Sequence, residues 1–174
     1  MKIELKKISF NERMSEETNC FVADLYINGK KVGYCENRGT GGPTDYHGDT
    51  SSKFGYTDVN IKLIKEAEAY FKSLPKAMYV EHNFEYQPTL ENAIDEQFEE
   101  FLKVREDKKK AKMYEKALCF GVPNGNSYRT ISWKGRTLAQ IDKVSLQRAY
   151  DKAKADLKAG EVILNTNIKE LGLV

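Results

Sequence analysis

Phe21-Val-Ala-Asp-Leu-Tyr-Ile-Asn-Gly-Lys-Lys-Val-Gly-Tyr34 decides the fold class. Asn28-Gly29 tolerates positive φ at both centres of a type I′ turn, the turn whose twist matches that of two antiparallel strands. Folding the chain about it places Ile27 opposite Lys30, Leu25 opposite Val32 and Ala23 opposite Tyr34. One face then gathers Phe21, Ala23, Leu25, Ile27, Val32 and Tyr34, and the other holds Asp24, Tyr26 and Lys31 beside Val22. Such a division predicts a hairpin with one face on a core and the other partly wet.

Upstream, Ile3, Leu5, Ile8 and Phe10 predict a first strand whose alternation slips once near Lys6-Lys7, the mark of a bulge. Together these pieces make a three-stranded antiparallel meander. Downstream the period changes to that of a helix. Val59, Leu63, Ala67, Tyr70 and Leu74, widened by Ile64 and Phe71, form one stripe that starts at Thr57 or Asp58 and stops before Pro75. A second helix follows Thr89, its expected N-cap, with Leu90, Ile94, Phe98, Phe101 and Leu102 turned inward and a run to about Lys116. Its early turns are acidic and its late turns basic, which complements the helix dipole.

Leu118–Val122 and Tyr128–Trp133 predict a second hairpin. A third helix lies within Leu138 to Lys158, with Gly160 as its stop, and a short strand spans Glu161 to Asn165. The order of elements gives an α+β fold, antiparallel hairpins packed on about three helices, as a single domain over 1–174. Leu, Ile, Val and Phe make up 40 of 174 residues, enough for a core.

With 28 basic and 26 acidic residues the net charge is +2. Nothing in that balance argues for nucleic acid, whose binders carry a basic excess. Cys20, Cys35 and Cys119 are odd in number and contain no C-x-x-C pair, against a disulfide framework or zinc knuckle. The N-terminal residues show no signal-like apolar run, and no stretch is apolar for membrane-spanning length. The expected location is cytoplasmic, with no membrane partner; self-association stays open.

The segment from Glu36 to Thr57 shows little apolar periodicity and holds five glycines between Gly39 and Gly55. Its core, Arg38-Gly-Thr-Gly-Gly-Pro-Thr-Asp-Tyr-His47, brings flexible backbone N–H donors together with Arg38, Thr40, Thr44 and His47. Arg38, Gly39, Thr40, Gly41, Gly42, Thr44 and His47 are therefore candidate ligand-binding residues for a nucleotide-like or other anionic group. Neither a P-loop nor a dinucleotide fingerprint is present. Asp45, His47 and Asp49 alternate but make a poor zinc set, so neither metal nor cofactor is expected. Glu81, His82 and Glu85 suggest a surface cluster, and Trp133 between Arg129 and Arg136 is read as core.

Ser15-Glu-Glu-Thr18, Ala23-Asp-Leu-Tyr-Ile-Asn-Gly-Lys-Lys-Val-Gly33 and Asn37-Arg-Gly-Thr-Gly-Gly42 carry a resemblance. The first fifty residues or so resemble the opening of small uncharacterised bacteriophage and mobile-element proteins. That resemblance implies an accessory role such as counter-defence, ligand sequestration or modification of a host factor, in the host-cell cytoplasm. It transfers no activity and no site. The expected function is a binding protein that engages a nucleotide-like ligand or a host protein through the Arg38 to Asp49 loop. The alternatives are a small hydrolase using His47 with Asp45 or Asp49 on a phosphorylated substrate, and a nucleic-acid accessory factor using Lys108 to Lys112.

Overall fold

The computed structural model describes residues 1–49, 58–79, 83–125 and 127–174. Contacts divide the chain into two compact units, Met1–Leu102 and Lys103–Val174. Each unit has its own cluster of buried apolar residues, where the sequence suggests one core. Periodicity tells which face of an element is apolar, not how many clusters those faces join to form.

In the first unit, β1 (Ile3–Phe10), β2 (Phe21–Ile27), β3 (Lys30–Asn37) and β4 (Asp45–Gly48) form an antiparallel sheet in the order β1-β2-β3-β4. The type I′ turn forms as expected, with φ of 51° at Asn28 and 79° at Gly29. Asn28 also closes the sheet on the other side: its side-chain oxygen accepts from Lys2 N at 3.0 Å, and its N–H donates to Lys2 O at 2.9 Å. The bulge in β1 also forms, where Lys7 takes φ 51° and the register jumps from Lys6↔Asp24 to Ser9↔Val22.

The register beyond the turn differs from the simple fold-back. Leu25 pairs with Gly33 and Ala23 with Cys35, because Val32 is an extra residue bulged out between Lys31 and Gly33. An unpaired residue inverts the alternation beyond it. Val32 stays buried, but the next inward positions are Cys35 and Asn37, and Tyr34 turns to solvent. Gly33 has a reason of its own: a Cβ there would stand 1.7 Å from the His47 carbonyl oxygen. Absence of that atom lets β4 dock on β3, giving four strands where three were expected.

α1 (Asp58–Ser73) and the first turns of α2 (Leu90–Lys116) cover this sheet. Ile64 and Ala67 supply the buried stripe of α1, flanked by Leu63 and Phe71, whereas Tyr70 is exposed. α1 starts at Asp58; Thr57, Glu81 and His82 lie outside the described residues. Thr89 caps α2 as predicted, its Oγ1 accepting from Asn92 N at 3.1 Å while Asn92 Oδ1 accepts from Thr89 N at 3.0 Å. Leu90, Ile94 and Phe98 are buried, and Phe98 stacks on Phe21 with centroids 3.9 Å apart and edges onto Phe10 at 5.6 Å. Between the helices, β5 (Ala77–Tyr79) and β6 (Phe84–Tyr86) form a two-stranded ribbon that shows no sequence period.

In the second unit, β7 (Ala117–Gly121) lies between β8 (Tyr128–Ser132) and β9 (Val162–Ile163), all antiparallel. α3 (Lys143–Ala155) is capped by Asp142, whose carboxylate accepts from Ser145 N at 2.9 Å. Leu118, Leu138, Leu146, Tyr150 and Leu173 form the core, and Trp133 packs against it. Gly160 does not end α3, which stops at Ala155. It takes φ 81° in the turn that brings Glu161 N to Lys158 O at 3.0 Å. Opposite β9, Arg129 stacks over Phe120 and its guanidinium pairs with Glu161 and donates to Asp156 O at 2.8 Å. The chain is thus α+β, and among the described residues no helix is long and apolar enough to cross a membrane.

Candidate functional site

β3 ends at Asn37, which the Val32 bulge has turned inward. Its carboxamide uses its full hydrogen-bonding capacity. Oδ1 accepts from Thr18 Oγ1 at 2.8 Å and Gly39 N at 2.9 Å, and Nδ2 donates to Gly42 O at 3.1 Å and Thr44 Oγ1 at 3.2 Å. The glycine-rich loop is therefore wound about one buried amide. Gly39 is buried at φ 85°, and a Cβ would meet Met14 O at 2.1 Å. Its carbonyl accepts from Glu16 N, Glu17 N and Thr18 N at 2.9, 3.0 and 3.3 Å, fastening the loop to the β1–β2 connection.

Three of the backbone donors expected to cradle an anion are taken by protein acceptors. Gly39 N donates to Asn37, Gly41 N to Thr18 Oγ1 at 3.2 Å and Thr44 N to Glu91 Oε1 at 3.1 Å. Thr44 is buried, and its hydroxyl donates to Asp95 Oδ1 at 2.6 Å. Arg38 and Thr40 are exposed; the nearest charge to Arg38 is Glu36, at 3.6 Å. His47 is exposed on β4, across from Tyr34, with ring centroids 5.0 Å apart. Of the seven sequence candidates only Gly42 and Thr44 line the cleft beside the loop.

That cleft has a volume of about 330 Å³ and is walled by Glu17, Glu91, Asp95 and Glu99, with Thr44 and Phe98 among the other lining residues. Among the described residues no Lys or Arg lines it. Three of the carboxylates come from one face of α2, since residues four apart lie above one another on a helix. The sequence carried that signal, but dipole complementarity accounted for it equally well. Burial raises the Asp95 carboxyl above its ordinary value; the Thr44 hydrogen bond opposes this, and the neighbouring Glu91 and Glu99 charges add to it.

The Cys35 and Cys119 thiols and the Tyr46 phenol are shifted away from their ionised forms. Burial pushes the Cys35 thiol up to about 12 and the Cys119 thiol up to about 11, away from the thiolate a nucleophile needs. The Tyr46 hydroxyl donates to Glu68 at 2.8 Å and is held up at about 12 by burial and that bond. Among the described residues no group of three or more His, Cys, Asp or Glu side chains comes together to hold a metal ion. In comparisons with known proteins, no family model, no curated protein and no solved structure matches this chain.

Proposed function

We propose that the chain is a binding protein that engages a partner protein through the cleft beside the glycine-rich loop, taking a Lys or Arg side chain of the partner between the carboxylates. The observation that supports this is the polarity of the site: the N–H groups of Gly39, Gly41 and Thr44 are taken by protein acceptors, and among the described residues four carboxylates and no cation line the cleft. An anionic nucleotide would meet repulsion there, whereas a guanidinium or ammonium meets acceptors for charge-assisted hydrogen bonds. A phage-type accessory role, counter-defence included, belongs to the same proposal, because occupying the surface of a host factor requires no catalysis.

Fluorescence anisotropy of a labelled arginine-containing peptide and of labelled ATP tests it on the full chain. The peptide should bind with an affinity that falls as salt rises, and Glu17→Gln with Glu99→Gln should weaken it several-fold. Saturable ATP binding that is lost in Arg38→Ala would reverse the assignment to an anion site. Phosphoester turnover abolished by His47→Ala would replace it with the hydrolase.

A further inference from the structure

The near-neutral chain conceals a strong asymmetry. Residues 103–174 hold 16 Lys or Arg and 8 Asp or Glu, a net of +8, whereas residues 1–102 hold 12 and 18, a net of −6. A basic excess on one compact unit is the electrostatic footprint of a polyanion partner.

A cleft of about 320 Å³ opens on this basic unit. One wall is a single face of α2, with Glu106, Lys109, Lys110, Met113 and Tyr114 at the three- and four-residue spacing that stacks side chains along a helix. The other is the turn after β7 together with Tyr128, the first residue of β8. Tyr128 is 51% exposed and Val122, in the turn, is 48% exposed, so an aromatic and an aliphatic surface stand open beside two ammonium groups. Tyr114 and Tyr128 both line the opening, one from each wall. Lys109 is held by Glu106 at 2.9 Å, while Lys110 is exposed at the same opening.

We propose that Lys103–Val174 binds single-stranded nucleic acid, with a base resting against Tyr128 and Tyr114 and the flanking phosphates at Lys110 and Lys109. Stacking on an aromatic ring requires an unpaired base, which selects a single strand over a duplex. Lys108 and Lys112, both exposed on the same helix, extend the basic surface along the backbone. Glu106 competes with phosphate for Lys109. Arg129 takes no part: it does not line this cleft, and its Nη2 is directed to Glu161 and the Asp156 carbonyl.

Anisotropy of a labelled oligothymidylate about a dozen nucleotides long, titrated with the full chain, tests this. Binding should fall linearly in log K against log salt, and Lys110→Gln should reduce the slope by about 0.7, the value for one phosphate contact on a single strand. Tyr128→Ala should lower affinity about tenfold, within the ~1–3 kcal/mol attributed to stacking one base, and Glu106→Gln should raise it. Glu99→Gln, which tests the cleft of the first unit, should leave strand binding unchanged. Tyr128 and Lys110 are exposed, so unaltered Trp133 emission would verify that each variant is folded. No binding by the wild type at low salt overturns the proposal. So does binding indifferent to Tyr128→Ala, or a duplex bound as tightly as the strand, since either would mean attraction by net charge alone.

Discussion

The Thr44 hydroxyl donates to Asp95 Oδ1 at 2.6 Å across 51 residues of sequence, while the same oxygen accepts from Asn37 Nδ2 at 3.2 Å. This one hydroxyl couples the end of β3, the glycine-rich loop and the first turns of α2. It also acts on Asp95, whose carboxyl is raised by burial and by the Glu91 and Glu99 charges and lowered by this bond.

Asp95 therefore gives stability a pH dependence of unusual sign for a carboxylate. Its pKa is raised on folding above the ordinary 3.8, with burial the main cause, so between those two values the folded state binds more protons than the unfolded one. Stability from this group is fully present below the unfolded pKa and is lost as pH rises through the folded one. Asp24, Glu106, Asp142 and Glu161 have lowered pKa values and act in the opposite direction. The comparison of wild type with Asp95→Asn isolates the Asp95 contribution. Melting temperature measured from pH 3 upward should show the variant gaining on the wild type as pH rises, and parallel curves would contradict the assignment.

Gly39 and Gly42 sit three residues apart in one loop and should respond differently to the same methyl group. Gly39→Ala forces an L side chain into φ 85° and drives Cβ against Met14 O. The conformation alone costs about 1–2 kcal/mol, and the contact adds to it. Gly42→Ala meets nothing within 4 Å and should change stability by no more than about 0.5 kcal/mol. Urea unfolding of the two variants checks this; equal destabilisation would mean that the loop is not wound about Asn37 as described.

Asn165 performs the corresponding task in the second unit. Its Oδ1 accepts from Cys119 N at 2.6 Å, and its Nδ2 donates to Ala117 O at 2.9 Å and Tyr114 O at 3.2 Å, tying the chain after β9 to the junction of α2 and β7. Asn165→Leu keeps the bulk and strands a buried N–H and a buried carbonyl, at about 1–3 kcal/mol for each unpaired group. Trp133 is the chain's one tryptophan and packs against this core, so its emission reports the unfolding of the second unit directly. The urea midpoint read from it should fall; an unchanged midpoint would show that water replaces the amide without cost.

Local chemistry made much of the fold legible. Asn28-Gly29 specifies its turn because few other pairs accept two positive φ angles. The broken alternation at Lys6-Lys7 specifies the β1 bulge, Thr89 specifies the start of α2, and the spacing of Leu90, Ile94 and Phe98 specifies its buried face. Each of these depends on residues within a few positions of one another. The inversion at Val32 was not legible, because sequence period does not encode which residue of a strand is left unpaired by its neighbour. Tyr34, expected inward, faces solvent for that reason, and Asn37, turned inward, joins Thr18 and Glu91 in accepting from the loop's N–H groups.

The α+β class, the Asn28-Gly29 turn, the Thr89 cap and the apolar face of α2 follow from backbone φ preferences and side-chain period, and so could be read along the chain. The tertiary structure alone shows which acceptors the glycine-rich loop's N–H groups meet: Asn37, Thr18 and Glu91. It also supplied the boundary after Leu102 at which the charges, countable along the chain, divide into −6 and +8. The loop's partners depend on which distant residues share a neighbourhood, because Coulomb and hydrogen-bond energies are set by separation in space and not by separation along the chain.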